Sequence, residues 1–243
     1  MPPLSNNNRQ PALADAGDPA AQPMAAVAPT VTSDRGNPWM RRLLGLFGWR
    51  VCYHGTPPGC GVIVAYPHTS NWDFVIGIVA KWSIGLPVAF LGKDSLFRAP
   101  VLGRFMRWCG GIPVRRDSAN GVIADMAGRL RDETRSGARW WLAVAPEGTR
   151  KAGDGWRSGF YHIAYTARMP IGLAYFNFQR REIGVTTFLM PSGDLHADLR
   201  QIERWYAEHA AGRYPALAAP VRPAGPRRAG DGGKVDRSGS EAP

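Results

Sequence analysis

The sequence predicts an α/β fold: a single domain in which a mainly parallel central sheet is flanked by helices. Three observations carry this expectation. Short apolar runs of strand length alternate with helix-length stretches of 3.6-residue periodicity over residues 51–210, and strands that alternate with helices pair in parallel through crossovers. Unusual polar residues cluster just after three of the apolar runs, around His68, Arg115 and Glu147, where an open α/β sheet places its functional loops. At 243 residues, 44% hydrophobic and 20% charged, the chain has the material for one sizeable core.

Residues 1–36 mix Ala, Pro, Asp, Asn and Gly without periodicity and offer too little apolar side chain to offset ordering of the backbone, so they are expected to be disordered. No basic stretch precedes an apolar core there, so no secretory signal is expected. Residues 37–50 differ. On a helix Met40, Leu43, Leu44 and Phe47 form an apolar arc with Trp39 and Leu46 at its edges, and Arg41, Arg42, Gly45 and Gly48 fall opposite. A short cationic amphipathic helix suits a membrane interface, and suits equally a first helix packed on the core.

An edge strand is expected at 51–54 and a buried strand at 61–65, followed by a helix from Asn71 to Gly85. Lys81 interrupts that helix and Gly85-Leu86-Pro87 ends it, short of the ~20 apolar residues that cross a bilayer, so no transmembrane helix is expected. After a strand at 88–91, a helix with Pro100 near its start gathers Val101, Leu102, Phe105, Met106, Trp108 and Cys109 on one arc and Gly103, Arg104 and Arg107 on the other. The first arc is expected to face the core; the alternative is contact with lipid or an acyl chain. A strand at 112–114, a helix through Val122, Ile123, Met126 and Leu130, and strands at 140–145, 171–176 and 185–190 follow, with a helix at 160–167 and a last one at 198–210. The folded domain is thus placed at 37–212, and the Pro/Gly/Ala/Arg composition of 213–243 predicts a disordered basic tail.

The formal charge is +11, and the ends explain little of it, because residues 37–212 keep 22 Lys and Arg against 13 Asp and Glu. A basic folded core implies an anionic partner: nucleic acid, a phosphorylated substrate or an anionic membrane surface. The aromatics fall mostly on apolar faces rather than between Lys and Arg, and no nucleic-acid-binding motif is present, so nucleic acid is not the expected partner. Cys52, Cys60 and Cys109 form neither a zinc-type pair nor an even disulfide set; reduced thiols are expected, a Cys52–Cys60 bridge being the alternative.

The three polar clusters suggest chemistry. His68 lies on the turn between a strand and a helix, five residues before Asp73. A histidine can take a proton from a hydroxyl, and a carboxylate on its other ring nitrogen would fix the tautomer and stabilise the imidazolium. A structural histidine is the alternative. No G-x-S-x-G elbow supplies a serine nucleophile, and none is needed if the donor is a thioester, whose thiolate leaves readily. Arg115 and Arg116 follow the strand at 112–114 and could clamp a phosphate bidentately, or belong to a solvated basic loop. In Pro146-Glu147-Gly148-Thr149-Arg150-Lys151, Glu147 could hold the arginine and the amides around Gly148 could meet phosphate oxygens; a surface ion pair is the alternative.

Together these residues resemble a family. The H-x-x-x-x-D box at His68 and Asp73, the G-I-P-V-x-R strand from Gly111 to Arg116 and the P-E-G-T-R box from Pro146 to Arg150 resemble, in order and spacing, the first three blocks of the glycerolipid acyltransferases, nearest to the lysophosphatidic acid (1-acylglycerol-3-phosphate) acyltransferases. Met169-Pro170-Ile171 resembles the fourth, so the likeness spans roughly residues 60–177. The resemblance implies the acyltransferase-type fold and transfer of a fatty acyl group from acyl-CoA or acyl-carrier protein to the hydroxyl of a lysophospholipid, in phospholipid biosynthesis. It implies His68 as general base, Asp73 as its orienting partner, and Arg116, Glu147, Gly148, Thr149 and Arg150 as the acceptor's phosphate site, with no metal and no cofactor beyond the thioester donor. It also implies a peripheral or monotopic protein on the cytoplasmic side of an anionic membrane.

Two positions depart from the family pattern. Arg115 stands where Asp is common and Lys151 where Ser is common, so both are candidate additional phosphate contacts. Another lyso-lipid acceptor such as a lyso-aminolipid, a thioester or lipid hydrolase that uses water instead, and a non-catalytic basic membrane- or lipid-binding protein are the alternative functions.

Overall fold

Each apolar run forms its expected strand, and the strands join in one eight-stranded sheet among the described residues, which are 23–31, 36–114, 119–149 and 152–225 of this computed structural model. In chain order the strands are β1 Ala25–Ala26, β2 Arg50–Tyr53, β3 Gly61–Tyr66, β4 Val88–Lys93, β5 Gly111–Val114, β6 Trp141–Val144, β7 Ile171–Asn177 and β8 Glu182–Met190. The helices are α1 Pro38–Leu46, α2 Asn71–Ile84, α3 Ser95–Arg98, α4 Pro100–Trp108, α5 Ala119–Arg135, α6 Gly159–Ala167 and α7 Leu195–His209.

The spatial order is β1-β8-β7-β3-β6-β4-β5, with β2 also on β8. From β7 to β5 all neighbours are parallel, so the strands' carboxyl ends line one edge. The sheet is mixed because β8 runs antiparallel to β7: four residues separate the two strands, too few for a crossover. The pleat of β3 sends Val62 and Val64 into a core shared with α5, α6 and α7, while Ile63 faces the opposite layer. Leu44 of α1 and Ile76 and Ala80 of α2 form a further cluster with Phe176 and Ile183.

Helix α4 does not bury the apolar arc as expected. Gly103 and Cys109 are its buried residues, and Val101, Leu102, Phe105 and Trp108 are exposed, Val101 at 85% and Trp108 at 67%. The cause is a backbone contact. A Cβ on Gly103 would collide with the carbonyl of Phe97, so the glycine face is the one that seats against α3. In α1 likewise only Leu44 is buried, and Trp39, Leu43, Leu46 and Phe47 stand in solvent.

Both ends of the folded region extend past the expected boundaries. Met24 is buried, β1 pairs with β8, and Val31 pairs with Thr56, so part of residues 1–36 belongs to the sheet. Residues 213–225 are likewise packed rather than loose. Ala219 and Val221 are buried, and Trp156 exchanges backbone hydrogen bonds with Arg222 and Ala224. Composition missed both because it counts local apolar content, whereas these segments gain partners from remote strands and turns. The three cysteines are free, and the Cys60 thiol donates to the Ala138 carbonyl. Among the described residues no helix is long and apolar enough to cross a membrane.

Candidate active site

The site lies where the carboxyl ends of β3 and β6 sit side by side, Val64 opposite Val144. After Tyr66 the chain turns through Pro67 to Ser70 and enters α2. Ser70 is the N-cap: its hydroxyl oxygen accepts the Trp72 amide at 3.0 Å, and its partner in the capping box is Asp73. The Asp73 carboxylate accepts the Thr69 and Ser70 amides at 2.7 and 2.6 Å and the Ser70 hydroxyl at 3.2 Å. The same helix N-terminus supplies a positive end for that charge.

His68 is placed by this turn. Its Nδ1 lies 3.6 Å from Asp73 Oδ2, at ion-pair range and longer than a hydrogen bond. The Asp73 side chain is fully buried and the His68 side chain is 20% exposed, so the carboxylate lies beneath the ring and the ring reaches the surface.

Glu147 completes the corner. It follows β6 and is 4% exposed, yet both its oxygens have partners: Oε2 accepts the His68 amide at 2.5 Å and Oε1 accepts the Ala219 amide at 2.9 Å. Burial pushes its carboxyl above the usual range, the two amides pull it back in part, and the nearby Asp73 charge adds to the rise. Three successive amides, 68 to 70, thus donate to two buried carboxylates. A turn whose successive amides are paired to buried carboxylates in low dielectric holds its shape.

Below His68 the wall is aromatic. Tyr66 packs on Trp156 at 5.1 Å and on Tyr206 at 5.0 Å between ring centroids. Its hydroxyl is pushed up to about 12, by burial first and then by Glu147. Tyr206 is buried and donates to the carbonyl of Val64 at 2.8 Å, tying α7 to the strand that delivers His68.

The sequence-expected site residues divide in three. His68, Asp73 and Glu147 form the connected unit just described. Gly148, at φ +65°, and Thr149 lie exposed on the turn after Glu147. Arg115, Arg116, Arg150 and Lys151 lie outside the described residues; β5 ends at Val114 on the same edge of the sheet, two strands from β6, about 10 Å at the usual strand spacing. Glu147, expected among the phosphate contacts, has both oxygens on backbone amides. The segment from Gly212 to Ala219, which reaches this corner, carried no local sign of doing so. Nor did anything in the sequence around Trp156 mark it as part of the wall.

A family model described as Acyltransferase matches residues 50–172. No curated protein matches the chain. Among solved structures, the chain is similar to the 1-acyl-sn-glycerophosphate (LPA) acyltransferase, PlsC, from Thermotoga maritima, with 17% identity, a TM-score of 0.47, and coverage of 69% of this chain and 73% of that one.

Proposed function

The chain belongs to the acyltransferase family, and from that premise we propose that it moves a fatty acyl group from a thioester donor, acyl-CoA or acyl-carrier protein, to the hydroxyl of a lysophospholipid such as 1-acylglycerol-3-phosphate, in phospholipid biosynthesis. The observation that carries the reading is the imidazole of His68, at the surface, 3.6 Å from the buried Asp73 carboxylate.

With Nδ1 facing Asp73, Nε2 is the nitrogen that takes the acceptor's hydroxyl proton. The hydroxyl oxygen then bonds to the thioester carbonyl carbon, the C–S bond breaks, and the proton on the imidazolium passes to the departing thiolate. The fixed charge of Asp73 stabilises the imidazolium in between, and acts in low dielectric because it is buried. Arg116, Arg150, Gly148 and Thr149 are assigned to the acceptor phosphate, with Arg115 and Lys151 as further contacts. Glu147 enters as the anchor of the turn that carries Gly148 and Thr149.

The reaction is placed at an anionic membrane surface, on the cytoplasmic side. Helices α1 and α4 both lean on α2: the Asn37 amide donates to the Trp82 carbonyl, and Trp82 packs on Trp108 at 4.8 Å. Exposed apolar side chains of α1 and α4 therefore flank the helix whose first turn holds Asp73 and exposes Trp72 and Val75. Arg41, Arg42, Arg104 and Arg107 are exposed on the same two flanking helices. Burying one such large apolar side chain in lipid is worth roughly 1.5–3 kcal/mol, and each cation near anionic head groups about 1 kcal/mol.

The test is full-length protein with labelled acyl-CoA or acyl-carrier protein, with and without lysophosphatidic acid. Diacyl product that requires the acceptor and vanishes in His68→Ala is the expected result. Release of free fatty acid without acceptor would instead make it a hydrolase. If the added cations hold the acceptor phosphate, Arg115→Asp and Lys151→Ser each raise the acceptor KM; an unaltered KM removes them from the site.

A further inference from the structure

The segment that follows α7 lies outside the residues matched by the family model, yet it touches both turns of the candidate site. Gly212 sits so close to the turn that a Cβ there would lie 2.9 Å from Pro67 Cγ and 3.3 Å from Thr69 Oγ1. The Tyr214 amide donates to Thr69 Oγ1 at 3.3 Å. The Ala219 amide donates to Glu147, whose other oxygen holds the His68 amide. Further along, the segment lies on the loop after Glu147: Trp156 donates to Arg222 at 2.7 Å, Ala224 donates back to Trp156 at 2.9 Å, and Gly225 donates to Asp154 at 3.1 Å.

We propose that residues 211–225 form a strap that positions His68, acting through Glu147 as a positioning residue shared between the Ala219 and His68 amides. The proposal rests on the reading of His68 as the general base. Its physical basis is the cost of a buried carboxylate. A group 4% exposed keeps its place only while its oxygens are paired, and here one pairing comes from the strap and the other from the catalytic turn. If the strap's amide is lost, the carboxylate must rearrange toward water or a proton, and either movement releases the His68 amide. Substrate contacts need not change. The signature of the strap is therefore a fall in kcat at constant KM, which distinguishes positioning from substrate binding, together with faster exchange confined to the turn, which distinguishes it from general instability.

Ala219→Pro in the full-length chain removes the one N–H in question. The preceding residue is already compatible with it, because Ala218 is extended at φ −69°, ψ 125°, as a residue before proline must be, and Ala219 itself already precedes Pro220. Glu147→Gln is the second variant: it keeps the shape but turns an NH2 group toward one of the two amides. Both are expected to lower kcat about 30- to 100-fold, the scale of a misplacement near 1 Å, with donor and acceptor KM within about threefold. Hydrogen exchange gives a readout free of activity: the amides of residues 68–70 should exchange at least about tenfold faster in Ala219→Pro, while those of β7 hold their rate.

An unchanged kcat with unchanged exchange at 68–70 overturns the strap, and so does a loss confined to acceptor KM. The base assignment is judged separately by His68→Ala. If that variant keeps full activity, the reading of His68 falls while the exchange measurement still decides whether the strap holds the turn. If it is inactive and Ala219→Pro behaves as wild type in both readouts, only the strap falls.

Discussion

At the turn from His68 to Ser70 each amide donates to a carboxylate, and the two carboxylates are buried; along α4 Val101, Phe105 and Trp108 stand in solvent while a glycine is buried. The first region places charge in the interior, which is unfavourable, and offsets it by complete hydrogen bonding within the chain. The second places apolar rings in water, also unfavourable, and the chain covers them only in part, Trp82 packing on Trp108 while Trp108 stays 67% exposed and Phe105 44%. The contrast separates two kinds of requirement. The geometry at His68 depends on contacts the fold makes by itself, whereas the α1 and α4 surfaces keep apolar and cationic side chains exposed, the polarity that the proposed anionic lipid surface would match.

The comparison can be broken first at the turn. His68→Ala is expected to reduce acceptor-dependent acyl transfer by roughly 10³-fold, within the span assigned to general-base catalysis, with the melting temperature little altered. A residual rate above a tenth of wild type would show that the turn's order serves the fold alone. On the other side, Trp108→Ala is expected to weaken sedimentation with anionic vesicles by about tenfold or more and leave transfer to a detergent-dispersed acceptor near wild type, since a lipid-buried ring is worth roughly 1.5–3 kcal/mol. Equal losses in both assays would mean that α4 acts on the reaction and not on the membrane.

A smaller effect is expected for Arg104→Gln, about fivefold in vesicle binding, vanishing when salt screens the surface charge. The smallest concerns pH. The Glu147 carboxyl is raised in the folded state, so the folded chain binds its proton more readily than the unfolded chain. The group therefore favours folding below the ordinary carboxylate pKa, and that contribution is lost as pH rises through the elevated folded value. In Glu147→Gln this part of the pH dependence should disappear, read as a flatter urea midpoint from the ordinary carboxylate pKa of about 4 upward. A slope identical to wild type would indicate that Glu147 titrates alike in both states.

The parts of the molecule that the sequence revealed are those whose physics is local. The run Val62-Ile63-Val64 is β-branched in every residue, and Ser70 with Asp73 carries the capping pattern of a helix start within four positions. The corner around Glu147 was not legible because its partners come from 79 residues upstream at His68 and 72 downstream at Ala219. The packed stretch up to residue 225 was hidden for the same reason: its composition reads as loose, and its hydrogen bonds go to Trp156 and Asp154.

Helix α4 marks the boundary between the two. Periodicity alone established that it has an apolar and a cationic face, because side chains spaced at 3.6 residues must segregate on any helix. Which face turns inward depended on whether a backbone could approach that closely, and Gly103 against the Phe97 carbonyl settled it. Sequence determined the elements, their order and the His68–Asp73 spacing, since these follow from interactions within a few residues. Tertiary structure decided which surfaces are buried and which carboxylates hold the His68 turn, since those depend on partners that only the folded sheet brings together.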